Sequence, residues 1–407
     1  MSITKDNRFS VQLSNPSVNI IRDAKAHLNY IPTPNSKQVF SQIVNNYKTG
    51  TRSFNIVGAF GTGKSAFLLA LEKNFNREQT YFSDRPFLQV KSFDVLRMVG
   101  EHASFIDIIS EKIRIDKRKK RPKDILVALK ERYSQLARKG QGLMIVVDEF
   151  GKILEHAAKN HPESELYFIQ QLAEFVNDTE REIIFITTLH QDFNEYARDL
   201  TKLQMNEWDK VRGRLKEVTF NEPVEQLLFL AAERLEVLSI GKKNRDFVKL
   251  FQTIEKSKAF PLKDYLSETY AEKLLPFDIL SAAVLTISLQ RYGQNERSLF
   301  SFINSKDPLG LNNYDQKLNP YYNLNCVYDY LMQNFYSLLT TRYNSDYTQW
   351  AGIRSAIERV EGAIQDRLVD TVKIVKVIGL LNIFSSAAIK MDIEFLNAYC
   401  GITLGIK

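Results

Sequence analysis

The residues from Gly58 to Ser65 read GAFGTGKS and fit the pattern G-x-x-x-x-G-K-[ST] at every position. Such a run suits a cluster of phosphate oxygens. Glycines let the backbone approach and turn successive N–H groups toward one anion, the lysine ammonium reaches the β- and γ-phosphates, and the hydroxyl after it ligates Mg²⁺. Gly58, Ala59, Phe60, Gly61, Thr62, Gly63, Lys64, Ser65 and Ala66 are therefore the expected binding segment for ATP, with Lys64 also acting on the phosphate that is transferred.

Hydrolysis needs more than a phosphate loop. It needs a carboxylate for the metal and a group that orients the attacking water. The segment LMIVVDEF supplies both at the end of an apolar run. Asp148 is expected to hold Mg²⁺ through water or together with Ser65, and Glu149 to polarise the water. An acidic pair that merely closes a strand in solvent is the alternative, and the phosphate loop upstream weighs against it.

Elements must place these groups. Phe54 to Val57 is a short apolar run that ends in the glycine turn, and AFLLALEKNF after it has helical spacing. Further strands are expected at Phe87 to Val90, Leu143 to Val147, Ile183 to Thr187 and Glu217 to Phe220, with helices at Ile125 to Lys139 and Glu165 to Val176. Short strands alternating with longer helices predict an α/β fold with a parallel sheet, and uninterrupted runs such as LMIVV and IIFI suit strands covered on both faces. Past Glu222 the strand signals fade, beginning with PVEQLLFLAAERLEVL, where proline opens a helix. The expected division is 1–50, a segment flanking the nucleotide site; 51–222, the ATPase core; 223–310, a helical lid; and 311–407, a helical C-terminal region. YIPTPN, from Tyr30 to Asn35, reads as an extended stretch, either an adenine-side flap or a linker.

Composition bounds the class. A chain of 407 residues exceeds what one core usually fills, and 44% hydrophobic with 25% charged residues is ordinary for a protein with a buried core. The net charge of +7 permits a polyanionic partner without requiring one. Two cysteines, Cys326 and Cys400, indicate neither a disulfide framework nor a zinc site. MSITKDNRFS is not a signal peptide, and the best apolar run, Leu274 to Leu289, is broken by Pro276 and Asp278. A soluble protein of a reducing, cytoplasmic compartment fits, with no membrane partner.

No LSGGQ-type signature and no NKxD motif is present, so transporter-type ATPases and GTPases fit poorly. The strand IIFITTLH ends on His190, WDKVRGRLKEVTF carries Arg212 and Arg214 before the last core strand, and YGQNERSLFSFI places Arg297 at the start of a helix. With GAFGTGKS and VVDEFGK, these segments resemble prokaryotic AAA+ ATPases of the origin-recognition and STAND-related branch, the BrxC-like ATPases of phage-defence systems among them. The resemblance spans roughly residues 30 to 310. It implies that His190 is a sensor of the γ-phosphate, that Arg212 or Arg214 is offered to the nucleotide of a neighbouring subunit, and that Arg297 reaches back from the lid. A strand-end surface histidine and a structural salt bridge are the plainer readings of His190 and of the arginine pair. The resemblance further implies a homo-oligomer, an effector or partner protein, and ATP hydrolysis that drives conformational change or assembly in a DNA-directed defence complex. A STAND-type switch that oligomerises on a protein cue is the alternative, and a scaffold using ATP as structural glue is a third. VDTVKIVKVIGLLNIF and IKMDIEFLNAYC look like the beginning of a winged helix whose wing is missing, as in a fragment or a reduced domain.

Two features stand apart. KIRIDKRKKRPK, from Lys112 to Lys123, is either a grip on a nucleic-acid backbone or a solvated loop. Tyr321, Tyr322, Tyr328, Tyr330, Phe335 and Tyr336 either stack on bases or, as their helical spacing favours, pack inside the protein.

Overall fold

The computed structural model describes residues 18–59, 61–82, 89–115, 120–160, 162–197, 201–235, 245–259, 267–293, 299–304, 307–317, 319–342, 344–385 and 391–406. They form two compact units, Val18–Asn221 and the stretch from Glu222 onward.

In chain order the first unit contains α1 (Pro34–Lys48), β1 (Ser53–Val57), α2 (Lys64–Phe75), β2 (Ser92–Val99), α3 (Phe105–Lys112), α4 (Pro122–Ala137), β3 (Gln141–Asp148), α5 (Phe150–Lys159), α6 (Pro162–Val176), β4 (Ile183–Leu189), α7 (Lys202–Arg214) and β5 (Lys216–Thr219). The five strands are parallel and lie in the order β2-β3-β4-β1-β5. The α/β fold class is as the sequence predicts. Leu143, Ile145 and Val147 of β3, with Ile183 and Phe185 of β4, pack into a core shared with α3 to α7. Met144, Val146, Ile184 and Ile186 point the other way, into a core shared with α1 and α2. Burial on both faces is why these strands show no polar alternation.

One expected strand is misplaced. Residues 83–88 lie outside the described residues, Gln89 and Val90 are not in a strand, and β2 begins only at Ser92. SFDVLRMV escapes the pattern search because Asp94 and Arg97 interrupt its apolar residues. The edge position accommodates them: Asp94 pairs with Arg132 of α4 at 2.6 Å, and Arg97 Nε donates to Glu72 of α2 at 2.7 Å.

The second unit contains α8 (Val224–Leu235), α9 (Arg245–Ser257), α10 (Glu268–Lys273), α11 (Ile279–Tyr292), α12 (Leu299–Asn304), α13 (Leu324–Leu339), α14 (Tyr347–Ala363), α15 (Leu368–Phe384) and α16 (Ile393–Leu404). Among the described residues no strand follows β5. The stretch read as the start of a winged helix is α15 and α16. Tyr321, Tyr322, Tyr328, Tyr330 and Phe335 are buried in this unit's core, which settles their role as packing, while Tyr336 is exposed.

Asp278 ties three of these helices together. It caps α11 by accepting from the Ser281 amide at 2.9 Å, and it accepts from the Tyr399 hydroxyl of α16 at 2.9 Å, which in turn accepts from the Leu324 amide of α13 at 3.3 Å. Complete burial raises this carboxyl from 3.8 to about 6, against the pull of its hydrogen bonds. A carboxyl raised in the folded state favours folding fully below the unfolded value, and that contribution is lost as pH rises through about 6. Two units correspond to roughly 3 kcal/mol. Urea unfolding of wild type against Asp278→Asn should therefore show a stability difference that moves in the variant's favour by about that amount between about pH 4 and 6.5. A constant difference would refute the raised carboxyl.

Candidate nucleotide site

β1 delivers the chain to the strand-end edge of the sheet between two neighbours. The Gly58 amide donates to Leu189 O at the end of β4 at 3.1 Å, and the Phe220 amide donates to Val57 O at 2.6 Å. A Cβ on Gly58 would stand 2.0 Å from Phe220 O, so this first glycine is required by the passing chain after β5. Gly61 and Gly63 have φ of +72° and +92°, the left-handed region, which turns the loop into α2. Gly63 gives α2 no side-chain cap, so the first-turn amides at Lys64, Ser65 and Ala66 face the loop as backbone donors. Phe60 lies outside the described residues.

Within the loop, Thr62 Oγ1 donates to Ala59 O at 2.9 Å, and Lys64 Nζ donates to Gly58 O at 2.5 Å and Ala59 O at 2.7 Å. Burial lowers the Lys64 ammonium to about 8, opposed by the charges of Asp148 and Glu149. The lysine of the loop and both acids thus share one electrostatic neighbourhood, although they come from β3 and from the turn after β1.

β4 lies between those strands and locks the acids. Thr188 Oγ1 donates to Asp148 Oδ1 at 2.5 Å and accepts from the Glu149 amide at 3.0 Å, and all but a few per cent of both Asp148 and Thr188 is buried. Glu149 itself has φ +55°, a left-handed turn that ends β3 and opens α5. From the other side, the Gly100 amide at the end of β2 donates to Asp148 O at 2.7 Å, and a Cβ there would stand 2.2 Å from Glu149 O. Glu149 Oε2 pairs with Lys152 Nζ at 2.5 Å, one turn along α5.

His190 follows β4 directly. Its pKa is lowered by burial and, next, by the charge of Lys64, which puts the imidazole beside the phosphate loop in its neutral form. The Tyr196 hydroxyl is 3.0 Å from His190 Nδ1.

Arg212 and Arg214 sit in the last turn of α7, away from this edge. Asn177 shows where: its side chain donates to Arg214 O at 3.3 Å and accepts from the Arg52 amide, just before β1 begins, at 2.8 Å. They lie at the strand-start edge. Arg214 pairs with Glu174 of α6 at 3.0 Å, whereas Arg212 is exposed and makes no ion pair among the described residues. Arg297 lies outside the described residues. Of the basic run, 116–119 lie outside them too, while Lys120 and Arg121 are paired with Asp107 and Asp124.

Sequence reasoning missed Thr188, Tyr196, Gly100, Gly151 and Lys152. Only the hydroxyl pair in TTLH, at the end of an apolar strand, gave a local signal for any of them.

No protein family and no curated protein matches the sequence. Among solved structures, the chain is similar to the Aeropyrum pernix ORC2 protein in its ADPNP–ADP complexes, at 16% identity over 69% of this chain and 70% of that one, with a TM-score of 0.37. It is similar to Caenorhabditis elegans PCH-2 at 11% identity over 78% and 73%, with a TM-score of 0.35. It is also similar to Drosophila ORC bound to DNA at 11% identity over 91% and 84%, with a TM-score of 0.32. These likenesses are distant, and the functional reading rests on the site's own residues.

A phosphate anion favours the charged form of Lys64. Nucleotide affinity should accordingly fall as pH rises through about 8, by up to about tenfold per pH unit. Fluorescent-nucleotide titrations from about pH 7 to 9.5 read this directly, and Lys64→Arg, whose guanidinium stays charged, should flatten the profile. A flat wild-type profile would overturn the assignment.

Proposed function

We propose that the chain is an AAA+ ATPase that hydrolyses ATP and uses the cycle for conformational change or assembly. The observation that supports this most is the joining of the phosphate loop to the acidic pair through β4, with Lys64, Asp148 and Glu149 in one field. In this reading Lys64 and the first-turn amides of α2 hold the phosphates, Glu149 orients water, and neutral His190 donates to the terminal phosphate. Asp148 and Ser65 offer one buried carboxylate and one hydroxyl, a donor set that suits Mg²⁺, which takes its other ligands from phosphates and water. Bound there, Mg²⁺ supplies charge neutralisation to the phosphates.

The arginines belong to a different copy of the chain. Both are remote from their own loop, and Arg212 is the one without an ion pair among the described residues, so Arg212 is the residue offered to a neighbour's nucleotide. A DNA-directed, antiphage complex is the setting that the motif resemblance supports. The net charge of +7 is compatible with DNA as a partner.

Steady-state hydrolysis with and without DNA tests the reading. Glu149→Gln should keep nucleotide binding and lose turnover by about 10²-fold or more. Arg212→Ala should lose a comparable amount while Arg214→Ala changes it only a few-fold, because an exposed pair such as Arg214–Glu174 is worth roughly 1 kcal/mol or less. An equal mixture of Glu149→Gln and Arg212→Ala should regain turnover, since each supplies what the other's site lacks. ATP-dependent assembly with slow, DNA-indifferent turnover would favour the STAND-type switch, and binding with no turnover or assembly would leave a scaffold.

A further inference from the structure

α7 ends on a carbonyl that the helix itself cannot satisfy. Trp208, Val211 and Leu215 bury one face of α7 in the first unit's core, and the Leu215 amide closes the last turn on Arg212 O at 3.3 Å. Arg214 O is left to an outside donor, as the final carbonyls of a helix are. That donor is Nδ2 of the Asn177 side chain, at 3.3 Å.

Asn177 is itself fixed before it reaches α7. Its backbone amide donates to Ala173 O at 2.9 Å, which closes α6, and its Oδ1 accepts from the Arg52 amide at 2.8 Å. The Arg52 carbonyl accepts in turn from the Phe185 amide of β4 at 2.9 Å, and Ser53 Oγ donates to Ala173 O at 3.4 Å. Both ends of the side-chain amide are therefore engaged, and their partners decide which way it faces: an N–H demands the oxygen and a carbonyl demands the nitrogen. The sheet, α6 and the last residue of α7 meet in this one side chain. The other tie, Arg214 to Glu174 at 3.0 Å, joins two side chains that are each about half exposed, and solvent weakens it.

We infer that Asn177 is a positioning residue for the reaction in a neighbouring copy: it ties the end of α7 to the sheet, so that Arg212, in the same turn, is presented from a fixed place. Arg212 is exposed, and only the backbone beneath it can be ordered before a second copy arrives. Order established in advance removes part of the entropy cost of engagement. The inference rests on the reading of Arg212 as the arginine offered to a neighbour. Asn177 stands at the strand-start edge, remote from its own phosphate loop and acids at the strand-end edge, so its effect belongs to the neighbour's site and not to its own.

Two variants separate the two bonds of this side chain. Asn177→Asp keeps an oxygen for the Arg52 amide and turns a second oxygen, which carries no proton, toward Arg214 O, whereas Asn177→Ala gives up both bonds. Each should lower kcat about three- to tenfold with nucleotide affinity within about twofold of wild type, the range that loss of one hydrogen bond allows. Mixing shows which copy is affected. An equal mixture of Asn177→Asp with Glu149→Gln should turn over ATP faster than the sum of the two preparations measured apart, since one contributes an intact loop and acids and the other an undisturbed α7. A mixture of Asn177→Asp with Arg212→Ala should give only the sum, because neither supplies a well-placed Arg212. Excess turnover with Arg212→Ala, excess with neither, or wild-type kcat in Asn177→Asp overturns the inference. The mixture of Glu149→Gln with Arg212→Ala is the control. If it shows no excess, the reading of Arg212 fails and Asn177 loses its role with it; if it shows excess and Asn177→Asp does not follow, Asn177 alone is refuted.

Discussion

The hydroxyl of Thr188 lies 2.5 Å from Asp148 Oδ1, and through it the strand beside the phosphate loop governs the strand that carries the acids. β4 has β1 on one side and β3 on the other, with Thr188 in register with Ile56 and Val147 paired with Thr187. Its next residue, Leu189, accepts the amide of Gly58. Two consecutive positions of one buried strand therefore set the first glycine of the phosphate loop, the carboxylate of Asp148 and the amide of Glu149. A hydrogen bond to a buried carboxylate is worth about 1.5–3 kcal/mol, and valine would keep the shape of Thr188 while giving it up.

Close packing of backbone completes what that hydrogen bond begins. Gly58, Gly100 and Gly151 each stand where a Cβ would come within 2.0–2.4 Å of a neighbouring atom. Only the first belongs to the phosphate motif. Gly100 presses β2 onto the carbonyl of Glu149, and Gly151 admits Tyr196 beside the start of α5. The acidic turn is thus gripped from β2, from β4 and from the turn after β4. Glu149 can hold a left-handed conformation there because its surroundings over-determine it.

The parts of this arrangement that depend on neighbouring residues in sequence were legible in advance. GAFGTGKS dictates its turn and its helix start, and LMIVVDEF announces a doubly covered strand that ends on acids. What depended on partners across the sheet was not legible. Thr188 is one of two threonines in TTLH, and only the register with β3 and β1 shows which does what: Thr187 hydrogen-bonds toward β1, to Asn55, and Thr188 toward Asp148. β2 was missed because an edge strand tolerates Asp94 and Arg97, whose partners lie on α4 and α2. The partner of Arg214, Glu174 of α6, likewise lies outside its own stretch of sequence.

The direction of the strands bears on assembly. All five run parallel, so their ends, with the loop and the acids, form one edge, and their starts, with Arg52, Asn177 and the end of α7, form the other. β1 alone is five residues long, about 17 Å at the usual rise per residue. That exceeds the span of an arginine side chain. An arginine at the end of α7 therefore cannot reach the phosphate loop of its own first unit without refolding the sheet between them. Any role for Arg212 in phosphate chemistry requires a second copy of the chain that brings its strand-start edge to this one's strand-end edge. Such a contact joins two different surfaces, so it is heterologous, and its repetition closes into a ring or grows into a filament. The polarity of the sheet, set by β1 to β5, is what separates the phosphate loop and the acids from the end of α7.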